Sequence, residues 1–361
     1  MLAWIGLGLG FVALSLLASW LHYVYWTRRF TLDLEYASEE VIPTADGVHV
    51  VLRRMPTPDG VEVCGAPVLL VHGLALNHRN HDMTEDLSLG RHLARAGRDV
   101  WLLTLRSGRE DLVWAEERAV TFEKMAENDV PTGIDAVLER TGANALDYVG
   151  FSMGGMLMYA CHGQTVRADK LRRVVIIGSP AAIVPPLVLL SRVARVVPGW
   201  LVPTLRLRLV SRFVAFASEI VKTPLHHWLY NPDNVDRGLA AYCLVNGFVN
   251  IPSGLANEFV RWAGDEGAVR YGEREVTDSL RDAATPVLFF AGMADNLAPH
   301  AAVELAYDAW GASLPSVDKE LIRVGIDYGA AADYGHGDLA IGRHAELDVF
   351  DPLEAWLGTP R

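Results

Sequence analysis

Basic charge and cysteine are both scarce in this 361-residue chain: 32 Lys and Arg stand against 44 Asp and Glu, and there are three cysteines. The net charge of −12 would repel a polyanion, and no concentrated basic face offsets it, so nucleic acid is excluded as a partner. Cys64, Cys161 and Cys243 are widely spaced and odd in number, which fits neither a disulfide framework nor a zinc site and leaves buried thiols as the expectation. Internal repeats and low-complexity tracts are missing as well, which excludes solenoids and linker-like segments. Between Leu2 and Trp26 there is no Asp, Glu, Lys or Arg at all.

That last absence meets an excess. The composition is 51% hydrophobic, and the mean hydropathy of +0.18 is high for a soluble enzyme. A helix over Leu2 to Trp26 would reach roughly 37 Å at about 1.5 Å per residue, enough to cross a bilayer. Trp20, Tyr23, Tyr25 and Trp26 crowd its C-terminal end as interfacial aromatics do, and Arg28 and Arg29 follow. We expect residues 1–29 to form a single-pass transmembrane anchor, with the two arginines placing the remaining chain on the cytoplasmic side. The alternative, a cleaved signal peptide, would need a charged start and a shorter apolar run.

Beyond the anchor, Leu32 to Tyr36 and Gly47 to Met55 have the pattern of opening antiparallel strands. Short β-rich runs follow at Ala66 to Val71, Asp99 to Leu105, Ala145 to Val149, Arg173 to Ile177, Pro286 to Ala291 and Leu321 to Ile326. Helical patterns separate most of them, including Asp86 to Ala96 and Thr121 to Arg140. This alternation predicts an α/β fold with a mostly parallel, doubly wound sheet. It breaks between Pro180 and Pro286, where no strand is clear. The expected organisation is a core over residues 30–180, a helical cap over 181–285 inserted after the sixth strand, and the rest of the core over 286–361.

The string Gly150-Phe151-Ser152-Met153-Gly154 is weak evidence by itself, but its context is specific. An apolar run, Leu146 to Val149, leads in, and Gly154 to Ala160 leads out as a helix. A serine on such a strand–turn–helix elbow stands above the sheet, and glycines let neighbouring backbone pass closely. Ser152 is therefore the candidate nucleophile, and the amide of Met153, at the helix start, a candidate oxyanion donor. A second donor should follow the third strand, where Leu69 to Val71 runs into His72-Gly73-Leu74. We assign it to the Leu74 amide.

The base should lie after the nucleophile and the acid in chain order. His336, in the glycine-flanked loop Tyr334 to Leu339, fits; His72 precedes the elbow and reads as a loop-shaping residue, and His344 falls in a helical stretch as a surface histidine. For the acid, Asp295 follows the run Phe289 to Gly292. Asp338 is the rival, though two residues from His336 is poor spacing for reaching its ring, and fixing the loop or capping the next helix suits it better.

With these residues placed, the chain resembles the α/β-hydrolase superfamily, and within it the acid lipases of gastric and lysosomal type and bacterial polyhydroxyalkanoate-synthase-like hydrolases. The resemblance spans about residues 30 to 358. Its most specific stretch is Thr121 to Pro131, then Ile134-Asp135 and Thr141-Gly142, before Tyr148 to Ser152. It implies nucleophile, acid and base at Ser152, Asp295 and His336, and an oxyanion loop at His72-Gly73-Leu74. Phe-Ser-Met-Gly-Gly stands where acid lipases tend to carry His-Ser-Gln-Gly, and serine stands where the polymer synthases use cysteine. The first departure leaves triacylglycerol specificity open; the second argues for hydrolysis.

The expected activity is hydrolysis of carboxylic esters with a hydrophobic acyl or alkyl group, needing neither cofactor nor metal. Amide or peptide hydrolysis by the same residues and a non-catalytic scaffold are the alternatives. Between Ala181 and Ser218 the acidic chain reverses sign: Arg192, Arg195, Arg206, Arg208 and Arg212 occur with no Asp, Glu or Lys. Such a cationic, amphipathic lid suits an anionic membrane surface, and equally a roof over an apolar pocket.

Overall fold

The computed structural model describes residues 2–184, 201–218, 226–265 and 267–358. Eight strands form one sheet: β1 (Ser38–Pro43), β2 (His49–Arg54), β3 (Val68–Val71), β4 (Val100–Thr104), β5 (Leu146–Phe151), β6 (Leu171–Ile177), β7 (Val287–Gly292) and β8 (Lys319–Val324). Their spatial order is β1-β2-β4-β3-β5-β6-β7-β8. Both neighbours of β2 pair with it antiparallel, and every other pairing is parallel.

The central strands are apolar on both sides because both faces are covered. Along β3, Leu69 and Val71 enter one core and Val68 and Leu70 the other; along β7, Val287, Phe289 and Ala291 alternate with Leu288 and Phe290 in the same way. The helices Val130–Thr141 and Met153–Cys161 contribute to the first core, Leu89–Arg95 and Asp351–Gly358 to the second. From β3 the chain moves outward to β4, then returns to place β5 on the opposite side of β3. Strand order thus reverses at β3, and the crevice above the C-terminal ends of β3 and β5 is where an open α/β sheet takes a ligand.

Two sequence expectations shift. The first strand is Ser38–Pro43 rather than Leu32 to Tyr36, because the Leu32 N–H is drawn instead to the Asn246 side chain at 3.0 Å. The helix expected from Thr121 to Arg140 is interrupted by a π-helical turn, Met125–Asp129, after which Pro131 can enter without a missing hydrogen bond.

The described residues between β6 and β7 add no strand to the main sheet; they supply the helices Leu207–Val214, His226–Leu229, Leu239–Tyr242, Ser253–Gly264 and Val276–Leu280 and a short hairpin, Arg270–Tyr271 with Arg274–Glu275. Leu255, Trp262, Val276 and Leu280 are part of the first core, so this stretch is packed into the body of the protein. The N-terminal helix, Leu2–Phe30, is long and apolar enough over Leu7–Phe30 to cross a membrane, and its most apolar stretch is not buried. Its last turns pack on the rest of the chain through His22, Trp26 and Phe30.

Candidate active site

Ser152 follows β5 directly and has φ 52° and ψ −119°, a conformation that a non-glycine residue adopts only when its surroundings hold it there. Its own N–H is fixed by the Ile177 carbonyl at 2.8 Å. Two neighbouring glycines are required by close approach. A Cβ on Gly154 would run into the Val71 carbonyl oxygen, and one on Gly73 would lie 3.0 Å from the Ser152 Cβ. The loop after β3 is therefore pressed against the elbow.

The loops after β7 and β8 bring Asp295 and His336 to the same place. His336 Nε2 lies 2.9 Å from Ser152 Oγ, and His336 Nδ1 lies 2.7 Å from Asp295 Oδ2. The carboxylate can only accept, so Nδ1 carries the proton and Nε2 accepts from the serine hydroxyl. Asp295 cannot swing away, because its Oδ1 accepts from the N–H groups of Leu297 at 2.8 Å and Ala298 at 2.7 Å. Both Asp295 and His336 are buried.

Leu74 and Met153, expected to present their amides, line the same cavity as Ser152 and His336. This cavity holds about 270 Å³, and its walls come from Leu76, Met156, Ile183, Leu244, Phe248 and Phe259 among others. Beyond Ser152 and His336, the only lining residues among those described whose side chains carry a polar group are Tyr230 and Cys243. Burial pushes both of these up to about 12, so each is neutral at ordinary pH, and no Asp, Glu, Lys or Arg among the described residues lines the cavity.

The rival residues have other duties. His72 is fully buried, accepts from the Leu105 N–H at Nε2 (3.1 Å) and faces the Gly73 carbonyl with Nδ1 (2.9 Å); burial lowers it to about 4. His344 is exposed at the surface. Asp338 is buried and accepts from the Asn231 N–H at 3.0 Å and the Asn234 side-chain amide at 2.8 Å, while Gly337 N–H donates to Leu229 at 2.7 Å. The Asn296 amide, beside Asp295, donates to His227 at 2.8 Å. The stretch from His227 to Asn234 is thus bonded to both the acid loop and the histidine loop. No spacing rule pointed to these asparagines; their partners lie about a hundred residues away in sequence.

The cationic lid is corrected in part. Arg206 pairs with Glu117 at 2.7 Å; Arg208 pairs with Glu110; Arg212 reaches Glu110 at 3.5 Å and donates to the Val245 carbonyl at 3.1 Å. The three described arginines thus share two carboxylates of the loop after β4, which offset most of their positive charge. Arg192 and Arg195 lie outside the described residues.

Residues 66–325 match the family described as alpha/beta hydrolase fold, and the chain belongs to that family. It is similar to gastric triacylglycerol lipase of Bos taurus, 37% identical over 136 residues, and to lysosomal acid lipase/cholesteryl ester hydrolase of Homo sapiens, 30% identical over 151 residues. These alignments cover 33% and 37% of this chain and the same shares of the two lipases, so the chain spans about a third of the length of the relatives it matches. Among solved structures, an esterase of Thermogutta terrifontis superposes with a TM-score of 0.56 at 18% identity, covering 89% of this chain and 98% of its own. An esterase of Exiguobacterium antarcticum gives 0.55 at 13% identity, with 89% and 100% covered. Both structures share the fold.

Proposed function

We propose that this chain is a serine hydrolase of carboxylic esters carrying a hydrophobic acyl or alkyl group, working through an acyl-enzyme. The observation that carries this reading is the chain of contacts from Ser152 Oγ to His336 Nε2 (2.9 Å) and from His336 Nδ1 to Asp295 Oδ2 (2.7 Å), at one end of an apolar cavity. His336 takes the hydroxyl proton as Ser152 Oγ bonds to the ester carbonyl carbon. The imidazolium, held by Asp295, then protonates the departing alcohol, and the acyl group stays on Ser152. Water, losing a proton to His336, attacks the acyl-enzyme, and the acid leaves as the proton returns to Ser152. The Leu74 and Met153 amides are the donors for the oxyanion formed in both steps.

The apolar walls favour an ester over a peptide, whose flanking amides would lose hydrogen bonds to water without replacement. The printed names of the lipase relatives, a triacylglycerol lipase and a cholesteryl ester hydrolase, point the same way, over the third of their length that aligns. Residues 181–285 act as the cap over the cavity. Residues 1–29 form a single membrane anchor whose apolar stretch ends at Trp26, with Arg28 and Arg29 just beyond it placing the hydrolase on the cytoplasmic side.

The test uses the full-length protein in detergent, a fluorophosphonate probe and a series of acyl esters. Wild type is expected to label and to turn over esters of apolar acids, and Ser152→Ala to lose labelling and about 10⁴-fold or more of the turnover. Folded wild type that stays unlabelled, or a Ser152→Ala variant that labels as well as wild type, would refute the proposal.

A further inference from the structure

Helix Leu207–Val214 is inside out. Leu209, Val210, Phe213 and Val214 are 58%, 56%, 41% and 42% exposed, whereas Ser211 is buried and Arg208 and Arg212 turn inward to Glu110. The four hydrophobics are spaced i, i+1, i+4 and i+5, a single stripe along one side. A helix on the surface of a soluble protein turns its stripe the other way, and a contiguous exposed apolar patch marks a contact. Leu201 and Leu205, just before the helix, extend the patch with further exposed side chains.

What covers the patch is indicated by its neighbour, the C-terminal part of the N-terminal helix. His22 Nε2 donates to the Phe213 carbonyl at 3.0 Å, and the His22 ring lies 4.9 Å from that of Phe213 and 4.7 Å from that of Phe216. Trp26 stacks on Phe216 at 5.7 Å. His22 precedes Trp26, the end of the apolar stretch before Arg28 and Arg29, by roughly 6 Å at about 1.5 Å per residue, which is the depth of a lipid–water boundary rather than of a bilayer centre. Trp20, Leu21 and Tyr25, around the same level, are exposed, so the apolar surfaces of the two helices are continuous. Leu244 joins this dock to the cavity: it lines the space around Ser152 and also packs against the cluster of Phe30, Trp26, Ala215 and Val245.

We infer that helix Leu207–Val214 is seated in the boundary region of the bilayer crossed by the N-terminal helix, its stripe among the acyl chains, and that esters enter the cavity from the bilayer. The inference rests on the proposed membrane span and on the proposed esterase activity. The contact is apolar, because the described arginines of the segment are already paired, so uncharged lipid suffices.

The experiment uses the full chain in nanodiscs of phosphatidylcholine, with Cys64→Ser removing the exposed thiol. A spin label at Val210→Cys is compared with labels at Val12→Cys, inside the span, and at exposed Asp169→Cys. Accessibility to oxygen over a water-soluble nickel chelate should be several-fold higher at 210 than at 169, by about threefold or more, and unchanged when anionic lipid is added. A 210 label as open to the chelate as the 169 label overturns the inference while the 12 label still reports lipid. A 12 label in water instead removes the membrane span itself. Shielding of 210 from both reagents means that another copy of the chain covers the stripe, which also overturns it.

Leu209→Gln with Val210→Gln tests the entry route. Turnover of a long-chain ester dissolved in the bilayer should fall about tenfold, while a water-soluble butyrate ester is hydrolysed within about twofold of wild type. Equal loss on both esters, or loss on neither, rejects the route, and wild type inactive on both rejects the esterase reading.

Discussion

Among the described residues, Ser152 and Ala75 are the two non-glycine residues with positive φ, one at the elbow and the other in the loop after β3 that Gly73 presses against it. For Ser152 the strain aims a hydroxyl at the cavity. Ala75, at φ 60°, aims nothing; its carbonyl accepts the Val249 N–H at 2.9 Å, and that bond fixes the loop carrying Leu74. A left-handed alanine costs about 1 kcal/mol relative to glycine, partly offset by the greater freedom of glycine in the unfolded chain. Ala75→Gly is therefore expected to raise stability by roughly 0.5 kcal/mol, read as a higher urea midpoint at constant m; a lowered midpoint would mean that the position is unstrained. The positive φ at 75 was invisible in sequence, where Leu-Ala-Leu reads as ordinary apolar chain. Ser152, Asp295 and His336 could be read because each sits at a strand end beside glycines or in a turn, and chain order limited the candidates.

At the scale of elements, helix Ser253–Gly264 is tied to the core by a buried carboxyl. Glu258 accepts the Phe122 N–H at 2.5 Å, capping the helix that leads to the π-turn, and burial raises it to about 7. The native state then keeps a proton on Glu258 up to about pH 7 that the unfolded chain releases near its ordinary value of 4.5. Stability from this group is full below the unfolded value, falls between the two, and is flat above, by about 3 kcal/mol at most. Glu258→Gln keeps an acceptor and has no proton to lose, so the difference in unfolding free energy between pH 4.5 and pH 7.5 should shrink; an unchanged difference would place the titration elsewhere. Elements were legible to different degrees for related reasons. The central strands, apolar on both faces, stand out from any background. Ser38–Pro43 is a charged edge strand with Glu39 and Glu40, so its β character is hidden by residues that strands usually avoid. Helix Leu207–Val214 was legible as amphipathic and cationic, but which side faces out depends on Glu110 and Glu117, far away in sequence.

For the whole molecule, the junction between the N-terminal helix and the body turns on Asn246. Its side-chain amide donates to the carbonyls of Phe30 at 2.9 Å and Tyr242 at 2.8 Å, and its oxygen accepts the Leu32 N–H at 3.0 Å. Asn246→Ala leaves these partly buried backbone groups without partners, at a cost of about 1–3 kcal/mol, and should lower the midpoint of thermal unfolding in detergent micelles by several degrees. A midpoint equal to wild type would show that the junction does not unfold with the body. The cavity that lies behind this junction has a consequence for turnover. The reaction proposed for Ser152 ends in a carboxylic acid, which ionises at neutral pH, and among the described residues the walls around it offer no Lys or Arg and no charged donor apart from His336 itself. An anion in such surroundings is poorly solvated, so ionisation of the product expels it. A site that admits its substrate as a neutral, apolar molecule thereby discharges what it makes, and product inhibition should be weak wherever the acid is free to ionise.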